Sequence, residues 1–173
     1  MAAARGLCYA VGMTPELLTA LNGQIKLEYE AAFLYLRLAV SMQEYGLPGC
    51  AHWLLCRHRE EQEHALRLIR HMEDRRVCPA IPDITAPAAP WDTPQEAFRL
   101  VQDHEQRITE SIHHLVSLAR KQQDYATEQM LMWFVAEQTE EEKSIGEILD
   151  RLRMANNEQA GLLRVDESLR GSK

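Results

Sequence analysis

Hydrophobic positions recur along most of the chain at alternating steps of three and four residues, and no segment alternates in period two with β-branched enrichment. That pattern predicts helices and no strands. Prolines mark the boundaries, because a proline starts a helix far more readily than it continues one. They fall at 15, 48, 79, 82, 87, 90 and 94, leaving 16–47, 49–78 and 95–173 free of them. Thr14-Pro15-Glu16 and Thr93-Pro94-Gln95-Glu96 read as a capping Thr followed by a first-turn Pro. The expected helices are 15–45, 48–76, 94–122 and 125–153, the last capped by Asp124, with a shorter fifth over 157–169. A helix of about 29 residues is about 43 Å long.

Connection lengths set the topology. Two or three residues join the first helix to the second and the third to the fourth, so each pair forms an antiparallel hairpin. Val77 to Thr93 holds four prolines and no helical period. Extended, such a segment can run the length of a helix, which makes the second and third helices parallel. The expected fold is therefore all-α, a four-helix bundle with one long crossover.

Each helix should bury one stripe. The stripes are Leu21, Ile25, Glu28, Ala32, Tyr35 and Ala39; then Leu54, His58, Glu61, Ala65, Leu68 and Met72, with His64 alongside; then Phe98, Val101, Glu105, Ile108, Ile112 and Leu115; and finally Leu131, Phe134, Gln138, Glu141, Ile145 and Ile148. All four are apolar and all are broken near the middle by Glu. Glu28 lies 13 residues past Pro15, Glu61 13 past Pro48, Glu105 11 past Pro94 and Gln138 13 past Tyr125, so the breaks share one layer. Converging buried carboxylates must protonate, repel, or bind a cation. Glu61-Gln62-Glu63-His64 places a carboxylate and an imidazole at i and i+3 on one face. Oxygen donors with one imidazole suit Fe(II) or Mn(II), with zinc as competitor. A hydrated polar layer serving specificity is the other reading of the same residues.

Composition narrows the partners. Nineteen Lys and Arg against 26 Asp and Glu give a formal charge of −7, unfavourable for nucleic acid or an anionic membrane and compatible with cations. No apolar run reaches the roughly 18 residues of a membrane span. Cys8, Cys50, Cys56 and Cys78 include no C-x-x-C pair, so they read as free thiols of a reducing cytosol. Residues 1–13 lack the shape of a secretory signal and are expected to lie outside a domain spanning 14–173.

With these residues in hand, the chain resembles the ferritin family, and within it the bacterial non-haem ferritins. The resemblance covers 14–169 and rests on Leu21-Asn-Gly-Gln-Ile25 with Glu28, Ala51-His-Trp53 leading to Glu60-Glu61-x-x-His64-Ala65, His104-Glu105-Gln-Arg-Ile-Thr109, and Trp133-Phe-Val-Ala-Glu-Gln-Thr-Glu-Glu-Glu-Lys143. It implies a cytoplasmic homo-oligomer, a cage of 24 subunits, that oxidises Fe(II) with dioxygen or hydrogen peroxide and stores ferric mineral. One iron would take Glu28, Glu61 and His64; the other Glu61 as bridge, Glu105, and Glu141 or Gln138. A third iron would fall to Glu60, Glu137, Glu140 and Glu141, giving two to three per chain. Tyr35 matches the tyrosine beside the centre, and a core aromatic with a bonded hydroxyl is its plainer role.

Departures from related folds sharpen this. Bacterioferritin carries a second Glu-x-x-His where this chain has Gln138 and Glu141, and a haem-binding Met where it has Gln62, so no haem is expected. There is no Cys-rich domain of the rubrerythrin kind, and the second His of diiron oxygenases is missing. The alternatives left open are a diiron redox enzyme that scavenges peroxide and a cage that buffers iron without oxidising it fast. His71, His113 and His114 read as surface histidines, and His58 as a satisfied core histidine.

Overall fold

The computed structural model describes residues 13–85, 88 and 90–171. Its helices are α1 (Pro15–Glu44), α2 (Pro48–Asp74), α3 (Pro94–Lys121), α4 (Tyr125–Ala155) and α5 (Gln159–Leu169), with no strand among the described residues. The starts coincide with the proline and capping signals. Thr14 Oγ1 accepts from Leu17 N, Thr93 and Glu96 form a reciprocal capping box, and Asp124 accepts from Thr127 N. Of the long helices, α2 and α4 depart most from their expected ends: α2 stops two residues early, at Asp74, and α4 continues two residues further. It runs to Ala155 and stops at Asn156, whose φ of 49° is the left-handed cap conformation an Asn tolerates. Residues 1–12, expected outside the domain, lie outside the described residues. Met13, grouped with them, is buried in the core.

Contacts between chain ends give the direction of each helix. Gln122, just past α3, donates to Glu16 at the start of α1 (3.1 Å), so α1 and α3 are antiparallel. Tyr45, Gly46 and Leu47 turn α1 into an antiparallel α2, with Gly46 at φ 86°, a value that suits glycine. Hence α2 and α3 are parallel, as the long crossover requires. Trp91 of that crossover packs on Tyr45, ring centroids 5.5 Å apart. Every stripe position named above is buried except His58, which is half-buried with Nδ1 2.8 Å from the Ala32 carbonyl oxygen. None of the described helices is long and apolar enough to cross a membrane.

The fifth helix closes one end. Asp166 on α5 is fully buried and its Oδ1 accepts from Cys50 N at 2.9 Å, so α5 supplies the cap that the N-terminus of α2 lacks from its own residue Leu47. Gly49 makes room for this. A Cβ there would stand 1.9 Å from the Asp166 carbonyl oxygen.

Candidate metal centre

The polar layer sits where the four stripes break. Glu28, Glu61, His64, Glu105, Gln138 and Glu141 are all buried, and Tyr35 is fully so. Glu28, Glu61 and His64 each offer a donor atom within 4.8 Å of the other two. His64 Nδ1 stands 3.4 Å from Glu61 Oε2 and 3.9 Å from Glu28 Oε2. Helix geometry explains the first distance, since i and i+3 share a face. Trp133 and Phe134 each make a T-shaped contact with the ring of His64, at centroid distances of 5.4 and 5.8 Å. Four of the trio's atoms, Glu28 Oε2, both carboxylate oxygens of Glu61 and His64 Nδ1, have no hydrogen-bond partner among the described residues. Such orphans are costly and rare in a finished interior. They are the atoms a cation needs. Gln24, buried one turn before Glu28, donates to Glu28 Oε1 at 2.8 Å and leaves the other oxygen facing the cluster.

On the other side the donors are occupied. Tyr35 donates its hydroxyl proton to Glu105 Oε1. Gln138 Nε2 donates to Glu105 Oε2 at 3.0 Å. Glu141 accepts from Arg57, whose Nη1 lies 2.5 and 2.6 Å from its two oxygens. The same guanidinium reaches Glu60 through Nη2 at 3.3 Å and Nε at 2.8 Å.

Titration behaviour follows from crowding. Burial, then the neighbouring Glu61 charge, pushes Glu28 well above the usual carboxylate range. Burial and Glu105 do the same to Glu61. Glu105 is pushed up to about 7 by burial and Glu141, against the hydrogen bonds from Tyr35 and Gln138. Burial and the Glu105 charge hold the Tyr35 phenol well above its ordinary value, so it stays protonated. Without a cation, protons fill this layer.

Of the residues expected at a third metal position, Glu60 and Glu141 meet at Arg57, and Glu137 is near enough to help raise Glu60 after burial. Glu140 is exposed. Sequence reasoning missed Arg57, Gln24 and the burial of His104, whose Nδ1 has no partner among the described residues. Arg57 is three residues from Glu60, a visible i, i+3 pair; nothing in the sequence pointed to Glu141. His71, expected at the surface, is half-buried with Nε2 2.9 Å from Thr127 Oγ1, because the start of α4 packs against the end of α2.

The model of the ferritin-like domain matches residues 18–155. The chain belongs to the ferritin family. This ferritin is 34% identical over 157 residues to the bacterial non-heme ferritin of Escherichia coli O157:H7, covering 91% of this chain and 95% of that one. The bacterial non-heme ferritin of Bacteroides fragilis YCH46 is 31% identical over 157 residues, with 91% and 98% covered. Among solved structures, an open pore ferritin from the hyperthermophilic archaeon Archaeoglobus fulgidus superposes with a TM-score of 0.91 at 34% identity, over 94% of this chain and 99% of that one.

Proposed function

We propose that this ferritin is an iron-storage ferroxidase. The carrying observation is the set of orphaned donor atoms on Glu28, Glu61 and His64 in the middle of an apolar bundle. Fe(II), the substrate, enters there, losing water and displacing protons. A second Fe(II) takes Glu61 as bridge, with Glu105 and Glu141, or Gln138 in its place. Carboxylates stabilise Fe(III) over Fe(II), so this donor set favours electron loss. Two neighbouring Fe(II) ions supply the two electrons that carry dioxygen to hydrogen peroxide, or hydrogen peroxide to water. Glu28, Glu61 and Glu105 release their protons as iron binds. Tyr35 keeps its proton and aims Glu105. Ferric product then leaves the labile oxygen ligands for a mineral held in a cytoplasmic cage of 24 copies, where the negative charge of the chain concentrates cations.

Aerobic loading tests this. Several hundred Fe(II) per assembly are added and the soluble iron that elutes with protein is counted. Retention far above the few sites per chain, in a very large particle, is the expected result. Retention that stops at two or three per chain overturns storage and leaves a diiron redox enzyme.

A further inference from the structure

The two halves of the centre are not equally open to metal. In the first, Glu28, Glu61 and His64 present atoms that no protein group satisfies. In the second, Glu141 is already held by a cation. Arg57 lies with one guanidinium nitrogen 2.5 and 2.6 Å from both Glu141 oxygens, and its side chain is only 13% exposed. The pair is not a flexible surface contact. Trp53 stacks under the guanidinium, 5.4 Å from ring centroid to Cζ, and Glu60 fixes its other edge. Here a single nitrogen, Nη1, bridges both carboxylate oxygens; a charge-assisted contact of this kind is stronger than a neutral hydrogen bond, and partial burial spares it much of the screening that weakens surface pairs. Both Glu141 oxygens are held by that one nitrogen, so a metal ion using this carboxylate must take it from Arg57.

We propose that Arg57 is a resident counter-cation that the second metal ion must displace from Glu141, so that it sets the order and the affinity of loading. This rests on the ferroxidase reading of the same site and adds a positioning residue to it. With Arg57 in place, Glu141 carries no uncompensated charge, and the first half fills first. Because Glu60 shares the guanidinium, the position flanked by Glu60 and Glu141 is filled by the protein's own cation, and the chain holds two metal ions rather than three.

The test is anaerobic titration of the full-length assembled protein with Co(II), a redox-inert probe whose absorption reports each site. Wild type should bind in two unequal steps. Arg57→Met keeps the stem over Trp53 and removes the charge; Arg57→Gln removes the charge and keeps polarity. In either, the second step should tighten roughly ten- to a hundredfold, the strength of a charge-assisted hydrogen-bonded pair, with the first step unchanged. A third Co(II) per chain should appear. Arg57→Lys keeps a charge for Glu141 but loses the plane over Trp53 and the second contact to Glu60, and should fall between. Second-step affinities in Arg57→Met and Arg57→Gln equal to wild type, with two Co(II) per chain, would overturn the proposal. Glu61→Ala separates the two failures: if it binds Co(II) as wild type does, the metal centre itself is misplaced, whatever Arg57 does.

Discussion

Two of the buried polar clusters in this bundle are built on opposite terms. At the corner where α2 ends and α4 begins, Arg75 Nη1 donates to Asp124 Oδ1 at 2.5 Å and to Thr127 Oγ1 at 2.7 Å, while Asp124 also caps α4. Each group there has a partner. Burial raises the Asp124 carboxyl, but the hydrogen bonds from Arg75 and Thr127 and the Arg75 charge together outweigh it, and the net position lies below the usual carboxylate range. In the mid-bundle layer, Glu28 and Glu61 sit well above that range with oxygens unsatisfied. A charge that folding satisfies strengthens the fold. A charge that folding leaves unsatisfied strains it and awaits something from outside.

The largest expected effects separate these roles. Glu61→Gln keeps the shape and removes the carboxylate proposed as the bridge. Fe(II) oxidation, followed by stopped flow, should fall by more than about a hundredfold, since the proposed mechanism gives this residue to both metal ions. The metal-free protein should meanwhile be more stable at neutral pH, by about 1–2 kcal/mol in denaturant, because a crowded buried carboxylate is gone. Asp124→Asn should do the reverse. Oxidation should stay near wild type, while stability drops by about 2 kcal/mol as the Arg75 charge loses its counter-ion. A loss of stability in Glu61→Gln matching that of Asp124→Asn would erase the contrast.

Next in size is the pH response of the metal-free protein. Glu105 titrates near 4.5 when unfolded and about 7 when folded, and Glu28 and Glu61 shift the same way. Between those values the folded protein holds protons that the unfolded chain has released. Stability must therefore fall as pH rises through that window. Saturating Co(II) should cancel the fall by replacing the protons with a cation bound only by the folded state. A Tm that rises steadily from about pH 5 to pH 7 without metal would refute proton filling of the layer.

What was legible in the sequence was local or periodic. Thr14-Pro15 and Thr93-Pro94 announced helix starts because capping is chemistry between near neighbours, and both caps form. The layer of Glu28, Glu61, Glu105 and Glu141 was legible because a carboxylate inside an apolar stripe violates the period that defines the stripe. Asp166 capping α2 was not legible. Its partner Cys50 lies 116 residues away, and only the docking of α5 over Gly49 brings them together. Arg57 on Glu141 is hidden for the same reason: 84 residues apart, the two meet only through the facing of α2 and α4. Packing partners of this kind are set by three-dimensional contact, to which a one-dimensional period is blind.

The smallest expected effect carries the comparison into a single histidine. His71 sits half-buried at the corner with Nε2 2.9 Å from Thr127 Oγ1, a hydroxyl that already accepts from Arg75. Burial, then the Arg75 charge, lowers the His71 pKa, against smaller opposite effects of Asp124 and Asp74. The unfolded chain therefore binds a proton near pH 6.5 that the folded corner resists, and stability contributed here is lost as pH falls below that value. The sign is opposite to that of the carboxylate layer, which gains stability over the same descent. With half the ring in water the effect should be below about 1 kcal/mol. His71→Gln, compared with wild type at pH 7 and pH 5.5, should lose slightly more stability at the higher pH. An equal loss at both would mean that the corner does not sense protons and that all of the pH response belongs to the metal layer.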